Sequence, residues 1–183
     1  MKKLQLKIDK INAPVFRKFL KILDHPGRNI INSPVAIVEH SGIKPGSSVI
    51  EIGCGSGYFT KEISKQVGPD GSIISIDIHP EAIASTTQKI YENALVNTTA
   101  LTANAEDTKL PDSCFDMALI YGVLPTPFIS TEQLLNEMHR ILKNKGKIAF
   151  WCGPFKLNIA SIEKNNIFKL VQTENSVYIF EKV

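Results

Sequence analysis

Gly53, Gly55 and Gly57 alternate within the stretch VIEIGCGSGYFT, Val49 to Thr60, with Glu51 two residues ahead of them and Asp77 20 residues beyond Gly57. Glycine has no Cβ, so it takes positive φ and lets a bound group come close to the chain. An aspartate ending the next strand can accept both hydroxyl hydrogens of a ribose, a bidentate contact that its charge strengthens. A pyrophosphate would normally call for G-x-G-x-x-G, whose last glycine lets helix and strand pack closely. Here the pattern is G-x-G-x-G, and Tyr58 stands where that last glycine belongs. Glu51 would also repel a pyrophosphate. It suits a ligand that carries positive charge.

Such residues need strands to hold them. SSVIEI (Ser47 to Ile52) is short and β-branched, as a buried strand is. A helix with Phe59, Ile63 and Val67 at fourfold spacing follows it and ends at the GPDG turn. SIISID (Ser72 to Asp77) makes a second strand, and Pro80 suits the first turn of a helix carrying Ile83, Thr87, Ile90 and Ala94 on one side. TTALTA (Thr98 to Ala103) and FDMALI (Phe115 to Ile120) give a third and a fourth strand. Ser130 and Gln133 predict a capping box. The helix it opens carries Leu134, Leu135, Met138, Ile141 and Leu142 as an apolar stripe. NKGK then turns the chain into a fifth strand, Lys147 to Trp151.

Alternating strands and helices force parallel pairing through crossovers. The tail differs: IFKLVQT and SVYIFEKV, separated by EN, form a hairpin signal. The fold class is therefore α/β, a doubly wound, mostly parallel seven-stranded sheet with an antiparallel C-terminal hairpin. Residues 1–183 read as a single domain, with residues 1–44 a helical cover and 45–183 a Rossmann-like core. Within the cover, Pro14 to Leu23 and Ser33 to Ser41 are expected helices, the second capped by Ser33 with Pro34 at its first position.

VIEIGCGSGYFT, IDIHP, ANAEDTKLPDSCFDMALI and LLNEMHRILKNKGKIAFW, in this order and spacing, resemble the successive motifs of class I S-adenosylmethionine-dependent methyltransferases, in particular those with methyltransferase type 11 domains. The resemblance runs from about Pro45 to Trp151, and the terminal hairpin agrees with it. It implies S-adenosyl-L-methionine as cofactor. Glu51 would orient the glycine turn and the amino end of the cofactor, while Gly53, Gly55 and Gly57 would line its methionine and ribose portions. By the same resemblance Asp77 would take the ribose hydroxyls and Ile78 would pack on the adenine. Asn104 stands where many relatives carry aspartate, which accepts from the adenine amino group; an asparagine carbonyl can do so without charge assistance. The Ala105 backbone N–H would meet a ring nitrogen, and the backbone at Tyr121 the methionine amino group.

The acceptor side is less marked. His25, in a Pro- and Gly-containing loop, is a candidate base but also an ordinary solvated loop residue. His79 should lie at the wrong end of the cofactor, His139 falls within an amphipathic helix, and His40 lies where a helix C-terminus would favour it. No residue is assigned as catalytic. YGVLPTPF (Tyr121 to Phe128) differs from the Asn/Asp-Pro-Pro-Tyr/Phe motif of relatives that methylate adenine or amide nitrogens. Tyr121, Pro125, Phe128, Trp151 and Cys152 are candidates for an apolar acceptor pocket.

Length and composition set the outer bounds. The 183 residues are 43% hydrophobic and 21% charged, with a formal net charge of +3. These values describe one globular core with scattered lysines, which points to a small-molecule acceptor and away from nucleic acid. No apolar run approaches the roughly 20 residues that cross a bilayer. Lysine and aspartate interrupt the start, so it does not read as a signal peptide. Cys54, Cys114 and Cys152 lack paired metal-ligand spacing, so no metal is expected and reduced thiols in the cytoplasm are. Two alternatives stay open: a nicotinamide-dependent oxidoreductase, and a subunit that binds S-adenosylmethionine without catalysis.

Overall fold

The computed structural model describes residues 33–164 and 166–183, together with Pro14, Lys18 and Leu20 in the first segment. The helix expected over Pro14 to Leu23 and the loop containing His25 therefore lie mostly outside the described residues. Chain order is α1 (Pro34–Glu39), β1 (Ser48–Ile52), α2 (Thr60–Val67), β2 (Ser72–Asp77), α3 (Pro80–Glu92) and β3 (Thr98–Thr102). It continues with β4 (Phe115–Tyr121), α4 (Thr131–Ile141), β5 (Leu142–Trp151), α5 (Ile159–Glu163), β6 (Phe168–Glu174) and β7 (Val177–Lys182).

The strands form one sheet in the order β3-β2-β1-β4-β5-β7-β6. The first five are mutually parallel, and β7 runs antiparallel between β5 and β6. Strand order reverses between β1 and β4, so a crevice opens beyond their carboxyl ends, the usual ligand position in such sheets.

Both faces of the sheet are covered, which explains why β1 and β4 read as continuous apolar runs. Met117, Leu119 and Tyr121 on β4 pack with Ile63 and Val67 of α2 and Ile37 and Val38 of α1. Ala118 and Ile120, pointing the other way, pack with Leu134, Leu135 and Met138 of α4. The stripe seen in the sequence of α4 is thus its buried face, and Ser130 Oγ accepts from Gln133 N at 3.3 Å to cap it.

Three local expectations are corrected. Ser33 makes no side-chain cap on α1. Helix α3 fully buries Ala82 and Thr86, while Ile83 and Ile90 of the expected side are half-buried and Thr87 and Ala94 exposed; Thr86 lies against the glycine turn. Strand β5 begins at Leu142 rather than Lys147: Leu142 pairs with Phe115 before the register shifts, and Lys145 at φ 59° occupies the NKGK bend. Helix α5 had no sequence expectation.

Candidate functional site

The turn after β1 is folded by its own amides. Gly53 N and Cys54 N both donate to Ile76 O, at 2.8 and 3.0 Å, and Gly57 N donates to Cys54 O at 2.8 Å. Gly55 N donates to Asp77 Oδ2 at 3.0 Å. These four N–H groups are therefore spent inside the protein and do not form a cradle for phosphate, which needs free amides. Gly57 (φ 75°) is where glycine is required: a Cβ there would meet Thr86 Oγ1 at 3.2 Å and Thr86 Cα at 3.3 Å. That contact seats α3 against the turn.

A cavity of about 250 Å³ occupies the crevice. The turn contributes Gly53, Cys54, Gly55 and Ser56, followed by Tyr58 and Phe59. Asp77 and Ile78 come from the end of β2, and Ala103, Asn104 and Ala105 from the end of β3. Beyond β4 the wall is made by Tyr121, Gly122 and Val123, then Thr126, Phe128 and Ile129. Seven of the nine residues assigned from sequence thus share one cavity wall: Gly53, Gly55, Asp77, Ile78, Asn104, Ala105 and Tyr121. Glu51 and Gly57 stand behind that wall.

Glu51 is 3% exposed. Its Oε2 accepts from Ser75 Oγ at 2.6 Å and Thr60 Oγ1 at 2.7 Å. Burial pushes its carboxyl up to about 7, with the two hydroxyls working against this and the nearby Asp77 charge adding to it. Asp77 is also pushed above the usual carboxylate range by burial, opposed by backbone N–H groups. Its Oδ1 accepts from His79 N at 2.9 Å and its Oδ2 from Gly55 N, and the Ile78 N–H also favours the charged form. A carboxylate has about four acceptor positions, so Asp77 keeps acceptor capacity for a ligand hydroxyl.

Asn104 Oδ1 accepts from Glu106 N at 3.2 Å, and Asn104 O accepts from Asp107 N at 3.0 Å. The side-chain carbonyl expected to meet an adenine amino group thus gives one of its two lone pairs to its own turn. Glu106 in turn ties this segment to the loop after β4, its Oε1 accepting from Ser130 N at 2.7 Å.

Among the other candidates, Trp151 is core, edge-on to Phe59 at 5.6 Å between ring centroids. Cys152 is buried and Pro125 follows β4, but neither is in the cavity wall. His79 caps α3, its Nδ1 accepting from Glu81 N. His139 packs edge-on to Phe168, and His40, the C-cap residue of α1, pairs with Glu174. Sequence reasoning missed Ser56, Tyr58, Val123, Thr126 and Ile129 as cavity residues. Their loops have no periodicity to read, although the carboxyl ends of β1 and β4 mark where they must lie. Ser56 Oγ is buried without a hydrogen-bond partner among the described residues, a polar atom in the wall left for a ligand or water.

A cationic nucleoside fits this arrangement. The turn withholds amides, two carboxylates stand close together, and the remaining wall is largely apolar. No cluster of three His, Cys, Asp or Glu side chains among the described residues is placed to hold a metal.

Comparison with known proteins agrees. A family model described as a methyltransferase domain matches residues 43–178. A demethylmenaquinone methyltransferase from Anoxybacillus flavithermus is 28% identical over 145 residues, covering 73% of this chain and 60% of its own. The ubiquinone/menaquinone biosynthesis C-methyltransferase UbiE of Hahella chejuensis is 30% identical over 113 residues, covering 61% of this chain and 45% of its own. The chain thus spans between 45% and 60% of the length of these two curated relatives. In three dimensions it is similar to a SAM-dependent methyltransferase from Aquifex aeolicus, with a TM-score of 0.75 and 23% identity over 90% of this chain and 95% of the other. A family match over most of the chain, on a sheet of this order, makes it a member of the methyltransferase domain family with the class I S-adenosylmethionine-dependent methyltransferase fold.

Proposed function

We propose that the protein transfers a methyl group from S-adenosyl-L-methionine to a small, largely apolar acceptor of the quinol or phenol type, in the cytoplasm and as one domain. The observation that carries this is the pairing of a glycine turn, four of whose amides are internally bonded, with Asp77 at the crevice and Glu51 just behind it. That pairing favours a positively charged nucleoside over a dinucleotide pyrophosphate. When bound, the cofactor supplies a methyl group already activated on positively charged sulfur.

The chain's own residues have three tasks. Asp77 would accept from the ribose hydroxyls, using the lone pairs that Gly55 and His79 leave. Glu51, behind the turn, holds Thr60 and Ser75 and sets a negative potential at the cationic end. Tyr121, Val123, Phe128 and Ile129 form an apolar wall that excludes water and holds an acceptor in place, and positioning of this kind contributes roughly 7–11 kcal/mol to such reactions.

The described cavity wall contains neither histidine nor lysine. An acceptor served by these residues alone would be one that is nucleophilic without a histidine or lysine base, as an ionised phenol or an electron-rich quinol ring is. The two quinone-methylating relatives favour the same acceptor class. The test is incubation with methyl-labelled S-adenosylmethionine and a set of reduced naphthoquinones and benzoquinones lacking one ring methyl. Label in the extracted quinone supports the proposal. Label passing only to RNA or protein, or to none of the set while the cofactor binds, overturns the acceptor class.

A further inference from the structure

Helix α3 sends two hydroxyls to the glycine turn from outside the cavity. Thr86 is fully buried, and its Oγ1 lies 3.3 Å from both Gly55 O and Cys54 Sγ. A hydroxyl has one hydrogen, and the carbonyl is the stronger acceptor of the two. Ser85, half-buried and one residue earlier, donates from Oγ to Ser56 O at 3.4 Å. Neither Thr86 nor Ser85 belongs to the cavity wall, whereas Ser56 does. We propose, resting on the cofactor reading above, that Thr86 and Ser85 are positioning residues that hold Ser56 in place for a bound sulfur nucleoside.

Gly55 and Gly57, at φ 56° and 75°, flank Ser56, so the chain on either side of it is intrinsically free. The Gly53, Cys54 and Gly55 amides tie the turn to β2 through Ile76 O and Asp77 Oδ2. The Gly55 and Ser56 carbonyls tie it to α3. Because a peptide unit is planar, a bond at its carbonyl orients the whole unit. Thr86 thus orients the unit ahead of Ser56. The unit after it is held twice, by Ser85 on Ser56 O and by Gly57 N on Cys54 O at 2.8 Å. The Cα–Cβ bond of Ser56, between two held units, then has a set direction. Ser56 is 1% exposed, and its Oγ meets no hydrogen-bond partner among the described residues. A buried hydroxyl in a cavity wall with no partner in the fold is completed by a ligand or a water. The ligand touches Ser56, and Thr86 acts through it.

The experiment is calorimetric titration of the full chain with S-adenosylhomocysteine, for wild type, Thr86→Val, Thr86→Ser, Ser56→Ala and the Thr86→Val/Ser56→Ala pair. Valine keeps the shape of threonine and removes the donor, while serine keeps the donor. The bonds to the carbonyls are long, so Thr86→Val and Ser56→Ala should each weaken binding about three- to fivefold, within the range of one neutral hydrogen bond. Thr86→Ser should stay within about twofold of wild type, and the pair should lose little more than Ser56→Ala alone. A purely structural Thr86 would lower the melting temperature of Thr86→Val and leave the affinity of the folded protein unchanged. That result, or a loss in the pair equal to the product of the single losses, overturns the inference and leaves the cofactor reading standing. If Thr86→Val does not fold, Ser85→Ala carries the same expectation, and an unchanged affinity in it overturns the inference. Failure of wild type to bind overturns both.

Discussion

Glu51 and Asp77 are two acids placed where burial works against their charge, and a cationic ligand would reverse that. In the unfolded chain the Glu51 carboxyl titrates near 4.5, and in the folded protein near 7. Stability of the ligand-free protein should therefore fall as pH rises from 4.5 to 7, by on the order of 3 kcal/mol from this group, and stay lower above. Glu51→Gln removes the ionisation. Thermal melts should show the variant gaining on wild type across that window, and parallel curves would contradict the assignment. Asp77→Asn keeps the side-chain shape but loses the charge that ribose hydroxyls would meet, so S-adenosylhomocysteine affinity should fall about tenfold or more. Gly57→Ala forces a Cβ at positive φ against Thr86; it should lower stability by about 1–3 kcal/mol, read as a lower melting temperature.

At the scale of elements, the segment after β3 is held to α4 by a buried glutamate. Glu137 Oε1 accepts from Thr108 N at 2.7 Å and Thr108 Oγ1 at 2.5 Å, and Arg140 bonds both carboxylate oxygens while reaching Asp112. Burial raises the Glu137 carboxyl, but these donors outweigh it and hold it at about 2. Its contribution is present above pH 4.5 and is lost as pH falls through that value toward 2. Glu137→Leu leaves the Thr108 donors without their acceptor and Arg140 with Asp112 alone. It should destabilise by about 3 kcal/mol in neutral denaturant melts, with a smaller effect at pH 3.

Strands β1, β2 and β4 and helix α4 could be read in the sequence because their apolar spacing matches a single buried face or two. The buried side of α3 could not. Its apolar residues mark one side, yet Thr86, on another, is the residue that meets the glycine turn at Gly57. The loop after β4 also escaped, since Val123, Thr126 and Ile129 reach the cavity through turns and a link to Glu106, not through periodicity. Asn104 was legible as a position. The use of its carbonyl within its own turn was not, because that depends on where the Glu106 amide points.

For the whole molecule, the sheet order places the ends of β1, β2, β3 and β4 around one crevice. Gly53, Gly55, Asp77, Asn104 and Tyr121, far apart in the chain, therefore meet at a single crevice. The central claim is that this crevice takes a positively charged sulfur nucleoside or its neutral product, and not a dinucleotide. Calorimetric titration with S-adenosylhomocysteine, repeated in the presence of saturating NADH, tests it most directly. The account predicts one site per chain with micromolar-range affinity that NADH leaves unchanged. An absence of saturable heat, or displacement by NADH, would contradict it.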